Sequence, residues 1–435
     1  MSASQKKRSR YQQVGMGKYK VPILLLCVFF NLCTILELKV DARTYSPLER
    51  EIEAKLKLLN KPAVKSIRSE DGDIIDCVSI YNQPSLDHPA LKNHSIRMVP
   101  DFLLESQSSS TGVTSNSSSD VFQTWTKSGS CPEETVPIRR IRKEDLLRAV
   151  SLDRFGQKPL ELFVNSTYNT NLNFHNLDGF VNLKNRADAL LMAYAFNFIG
   201  AQANINVWNP KVEKPEDFTT AQMWLKATNG DNLESVEAGW TVNPKLYGDH
   251  KTRFFVYWTK DTYKSTGCFD LTCKGFVQTN KDVALGAILA PISIPFGQQY
   301  EINVGIFQDN NQNWWLKIKN NIPVGYWPAE LFGNLKHSAT TVQWGGQVFS
   351  YAVKTKPPHT GTQMGSGEEA YNKYKHACYM GAVRIKDYSQ ALKYPQFVTT
   401  HAGEPECYSA LNIAPYGKDP VFFFGGAGRQ PRYCP

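Results

Sequence analysis

From Leu191 to the C-terminus the chain is cut into short runs of β-branched and aromatic residues by Gly, Pro, Asn and Asp. The runs are Ala203–Trp208, Thr219–Lys226, Ser235–Val242, Arg253–Thr259, Gly275–Gln278, Gln299–Phe307, Trp314–Ile318, Ile322–Trp327, Ser338–Ser350 and Val421–Phe424. Such spacing predicts an all-β sandwich or barrel. In Arg253–Trp258 both alternating faces carry bulky side chains, so that strand is expected to be covered on both sides. The 23 Phe, 20 Tyr and 9 Trp, with 29 Gly and 24 Pro, suit such a turn-rich β protein.

The first 190 residues read differently. Lys6, Lys7, Arg8, Arg10, Lys18 and Lys20 precede the apolar run 21–36, and Val40-Asp41-Ala42 offers small residues for cleavage. This predicts a signal peptide over residues 1–42 and a secreted protein; the alternative is a membrane tether through residues 21–36. That basic start holds much of the net charge of +9, and the small excess left over gives no reason to expect a nucleic-acid partner. Sequons at Asn93, Asn116 and Asn165 are glycosylation candidates. Residues 43–154 read as a small α+β domain. Ser46–Leu59 is a capped helix with an apolar stripe, and strands are expected near Ile74–Ile80 and Val136–Ile141. A short helix is expected at Glu144–Val150 and a polar loop at 106–119. The Asn-rich stretch 155–190 reads as a linker and processing region, with the β domain over 191–435.

Most familiar chemistries lack their residues. The histidines after position 200 form no metal-ligand spacing, and no phosphate-binding glycine motif precedes a helix, so neither metal nor cofactor is expected. Gly365-Ser366-Gly367 is not a nucleophile elbow, and His376 with Cys378 lacks a third group. Carboxylate chemistry remains: two facing acids can share a proton and activate water between them. Glu237 stands out because it sits among apolar neighbours in a strand. The pattern alone leaves it either inward-facing or on a half-exposed outer face.

The strings DIIDCVSI, QPSLDHPALKNH and CPEETVPIRR in the first domain resemble the neprosin family of plant secreted proteins. So do INVWNPKVE, VEAGW, LYGDHKTRFFVYWTKD, TGCFDLTCKGFVQ, NWWL, VGYWPAELF, QWGGQV, TQMGSG and FGGAGR in the second. The resemblance implies an activation-peptide domain acting as an intramolecular inhibitor. It also implies an antiparallel β-sandwich of glutamic-peptidase, concanavalin-like type and an endopeptidase that cleaves after proline in acid. The family's first catalytic glutamate matches Glu237, and its second is replaced here by Gln347, which keeps the shape but cannot exchange a proton. The implied disulfides are Cys268–Cys273 and Cys407–Cys434, with Cys77–Cys131 in the first domain and Cys378 left over. Two functions follow. One is a peptidase of proline-containing polypeptide, weakened or inactivated at Gln347. The other is a non-catalytic sandwich that binds cell-wall polysaccharide or proline-rich protein through an aromatic cleft, for which Trp240, Tyr257, Trp258, Trp314, Trp315, Tyr326 and Trp327 could supply faces, although most of them are expected in the core. For the first, Glu237 and Gln347 are expected to face each other from neighbouring strands, beneath the first domain.

Overall fold

The computed structural model describes residues 46–107, 121–159, 183–229, 232–354, 357–414 and 419–435. The signal segment, most of the polar loop, Asn116, Asn165 and residues 160–182 lie outside them. The chain divides into Met1–Glu51 and Ile52–Pro435. Helix α1 (Pro47–Leu59) begins with the reciprocal cap that Ser46 and Glu49 predict: Ser46 Oγ accepts from the Glu49 amide, and the Glu49 carboxylate accepts from the Ser46 amide.

Strands β1 (Ala63–Arg68), β2 (Ile74–Ser79) and β4 (Thr135–Arg139) form a three-stranded antiparallel sheet. The two-residue β3 (Phe122–Gln123) pairs with β10 (Leu289–Ala290), tying the first part of the chain to the second. The short helix expected at 144–150 spans Lys143–Leu147.

The rest is antiparallel β. In chain order the strands are β5 (Arg186–Asn206), β6 (Phe218–Asn229), β7 (Asn232–Val242), β8 (Arg253–Thr259) and β9 (Val277–Gln278). After β10 come β11 (Glu301–Gln308), β12 (Trp314–Ile318), β13 (Ile322–Trp327) and β14 (Ala339–Phe349). Last are β15 (Cys378–Asp387), β16 (Leu392–Lys393), β17 (Thr399–Ala402), β18 (Ser409–Ile413) and β19 (Val421–Gly425).

The 21-residue β5 belongs to two layers. Its first half lies between β14 and β17, continuing the order β8-β7-β6-β14. Its second half lies between β11 and β15, joining β9-β13-β12-β11 to β19 and β18. The change occurs at Ala195–Asn197, which is exposed and where Ala195 takes a positive φ of 70°. A strand that bends out of one sheet into another is a standard corner of a sandwich. One apolar core fills the space between the layers, drawing Val236, Ala238 and Trp240 from the first and Val304, Ile306 and Trp314 from the second.

One expectation changes. The linker predicted over 155–190 is narrower, because Arg186–Leu190 opens β5 and Phe155 packs with Tyr257, Tyr263 and Phe269. Arg186-Ala187-Asp188-Ala189 does alternate, but its inward residues are alanines, too small to register as an apolar run. The seven aromatic residues named for a binding cleft are core instead, the placement expected for most of them. All are 0–3% exposed, Trp240, Trp258, Trp314 and Trp327 within the inter-layer core, Tyr257 in a cluster with Phe155, and Trp315 and Tyr326 beneath Leu91.

Candidate active site

Odd-numbered residues of β7 point away from the inter-layer core, so Ser235, Glu237 and Thr241 share the outer face of the first layer. Register extends that face across the sheet. Glu237 is opposite Trp224 on β6, which is opposite Gln343 on β14. Four residues away, Thr241 is opposite Thr220, Thr220 opposite Gln347, and Gln347 opposite Asp188 on β5. Between these rows Gln222 lies opposite Gly239 and Gly345. Gly345 has φ +148°, and a Cβ there would stand 2.1 Å from the Ala189 carbonyl oxygen, so only glycine fits.

Glu237 and Gln347 therefore share a face but not adjoining strands: β6 runs between them. That corrects the expectation of neighbouring strands. Each has its own partners. Glu237 is fully buried and accepts from Gln222 Nε2 at 2.6 Å, Tyr263 OH at 2.7 Å and Ser235 Oγ at 3.1 Å. Its fourth partner is the ammonium of Lys158, which is also fully buried. Gln347 Oε1 accepts from the Arg186 guanidinium at 2.6 Å, and its Nε2 donates to Asp188 Oδ1 at 2.8 Å. A second Arg186 nitrogen donates to the carbonyl of Pro159 at 2.9 Å. The chain that enters at Lys158 thus touches Glu237 with one residue and the Gln347 group with the next.

The entering segment is fixed by its backbone. The Lys158 amide donates to Tyr257 OH at 3.1 Å, and the Gly156 carbonyl accepts from Phe269. Gly156 has φ +78°, and a Cβ on it would collide with Thr272 at 2.0 Å. The Lys158 ammonium lies 4.6 Å from the Tyr257 ring centroid, so an aromatic face supplements the carboxylate.

Burial is the largest influence on Glu237 and pushes its carboxyl up. The Lys158 ammonium, the Tyr263 hydrogen bond and the charge of Lys226 together outweigh it and hold the group below its ordinary value. Burial drives Lys158 down to about 8 against the pull of Glu237. Both directions leave the pair ionised at neutral pH. Lys226 is also pushed down by burial, and its ammonium donates to Gln343 Oε1 at 2.6 Å.

The other predicted residues fall as follows. Disulfides join Cys77 to Cys131, Cys268 to Cys273 and Cys407 to Cys434, with Cα separations of 5.4, 5.8 and 5.3 Å. Cys378 is a buried free thiol whose pKa burial pushes well up. Asn93 is exposed in a turn. His359, Cys407 and Cys434 approach one another closely, but the two sulfurs are spent on a disulfide, so the cluster offers no metal site.

Sequence reasoning missed Lys158, Arg186, Asp188, Gln222 and Tyr263. Arg186 and Asp188 carry a faint signal, two charged residues at alternate positions opening a strand. Lys158 carries none, because its partner is 79 residues away.

Among solved structures, the chain aligns with the Scytalido-glutamic peptidase crystallised with a peptide-based transition state analogue at 9% identity, covering 56% of this chain and 98% of that one, with a TM-score of 0.30. It aligns with SCP-B, a member of the Eqolisin family of peptidases in complex with the tripeptide Ala-Ile-His, at 8% identity, 56% and 98% coverage and a TM-score of 0.29. Sequence models of the neprosin activation peptide and of neprosin match residues 66–179 and 215–427. Together they take in the sheet β1-β2-β4, the Lys158 segment, Glu237 and Gln347, and they establish that this chain belongs to the neprosin family.

Proposed function

We propose that this chain is the latent form of a secreted, acid-working endopeptidase that cleaves proline-containing polypeptide, with Glu237 as general base. The observation that carries the reading is the buried ion pair between Lys158, within the activation-peptide match, and Glu237. A base so engaged cannot take a proton from water. As pH falls, protonation of Glu237 leaves the Lys158 ammonium buried without a counter-charge, which is strongly unfavourable, and the segment withdraws. Glu237 then faces substrate. Pro159, held by its carbonyl beside Gln347, supports a cleft that accepts proline.

Gln347 weakens the enzyme. It can orient or donate a hydrogen bond but delivers no proton to the leaving amine. The test is incubation of the full-length protein at low pH, followed by N-terminal sequencing and an assay on a proline-containing peptide. Cleavage within 155–190 and slow turnover are expected. Glu237→Gln should abolish turnover, and Gln347→Glu should raise it by at least about 10²-fold. Turnover that survives Glu237→Gln would overturn the assignment.

A further inference from the structure

Gln347 leaves the reaction without a proton donor, and the residue facing it across the sheet is a carboxylic acid. Asp188 is the cross-strand partner of Gln347, half-buried, and accepts from its amide at 2.8 Å. It lines one small cavity with Gln347, Gln343, Trp224, Lys226 and Tyr263, and Tyr263 is in turn bonded to Glu237. Two residues back on the same face of β5, Arg186 holds a peptide carbonyl, that of Pro159, while its other nitrogen grips Gln347 Oε1. A carbonyl anchor and a carboxyl are thus locked together by the two ends of one amide.

We propose that Asp188 is the general acid of this enzyme, a catalytic residue standing in for the glutamate that Gln347 replaces. The inference rests on the peptidase reading of Glu237. Water loses one proton to the Glu237 carboxylate as its oxygen bonds to the carbonyl carbon. The π pair moves onto the carbonyl oxygen, which the Arg186 guanidinium stabilises. When the carbonyl re-forms, the carbon–nitrogen bond breaks and its electron pair takes the proton of the Asp188 carboxylic acid. Glu237 then releases its proton to solvent and Asp188 regains one, so one water is consumed per bond. Gln347 positions: its Nε2 fixes Asp188 and its Oε1 fixes Arg186. The charged groups facing Asp188 are Arg186 on its own strand, Lys226 on β6 and His401 on β17, and the last two sense its charge.

The experiment compares the acid-processed protein with Asp188→Asn, Asp188→Glu, Gln347→Glu and Glu237→Gln on one proline-containing peptide across acid pH. Asp188→Asn should lower kcat by at least about 10²-fold with KM changed little, and should flatten the alkaline limb of the pH profile. Asp188→Glu should keep activity and move that limb upward by about 0.4 pH unit, the ordinary difference between the two acids. An unchanged rate and profile in Asp188→Asn, with Glu237→Gln inactive, would overturn the role of Asp188 and leave Glu237 standing. The same holds if only Gln347→Glu is active. If Asp188→Asn does not fold, an unmoved limb in Asp188→Glu overturns the role. Inactivity of both the unmodified protein and Gln347→Glu would overturn the peptidase reading and this inference with it.

Discussion

Lys158 and Glu237, 79 residues apart in sequence, form an ion pair in which both side chains are fully buried. The pair couples the state of the activation segment to the protonation of one carboxyl. Removing the cation alone leaves a buried carboxylate whose largest remaining influence is burial. Lys158→Met is therefore expected to raise the Glu237 pKa above the ordinary glutamate value. It should also cost about 3–5 kcal/mol of stability at neutral pH, read by urea unfolding.

The acid response has a defined sign. A carboxyl held below its ordinary value contributes stability that is complete above the unfolded pKa and disappears as pH falls through the folded one. For Glu237 the unfolded reference is 4.5 and the folded value lies below it. Docking of the Lys158 segment should thus survive mild acid near pH 5 and fail only below about 4.5. Limited proteolysis across a pH series checks this. Release at pH 6 would mean that another group controls the segment.

A second anchor joins the two parts of the chain. Buried Arg253 on β8 donates to Asp73 at 2.6 Å and also pairs with Asp249. Asp73 belongs to the turn between β1 and β2, so the bond links the small sheet to the large one. Asp73→Asn removes one charge but keeps a hydrogen-bonding group. It is expected to destabilise the protein by about 1–3 kcal/mol and to permit processing at a less acid pH. Urea unfolding and pH-dependent processing, measured on the same variant, check both.

Cys378 should resist thiol reagents. Its sulfur is fully buried, donates to the Asn206 carbonyl and has its pKa pushed well up by burial. Labelling with a soluble disulfide reagent is expected to be slow in the native protein and immediate in denaturant. Reducing Cys407–Cys434, which closes 27 residues of sequence, should lower stability by about 3 kcal/mol.

Legibility in the sequence followed local contrast. Arg253–Thr259, Trp314–Ile318 and Ile322–Trp327 are strands with the predicted bounds, because dense β-branched and aromatic runs end there at turn residues. Strand β15 escaped notice: a bulge between Gly381 and Arg384 breaks its register, and Ala382 takes a positive φ of 49°. Glu237 was visible as an acid directly flanked by Val236 and Ala238, and Gln347 only through the family resemblance. Lys158, Arg186 and Asp188 acquire meaning from the register of β5 against β14 and from a segment folded back over β7. No local pattern encodes either.

The Lys158 plug is also covalently tied to the site it fills, through the chain that leads from Pro159 into β5. Within one molecule it acts at an effective concentration that dilution cannot lower. A single cut between Pro159 and Arg186 turns the plug into a separate ligand, subject to mass action. Latency then becomes a property of how crowded the surroundings are. A cut molecule in a concentrated compartment stays closed, and the same molecule released into a large volume opens.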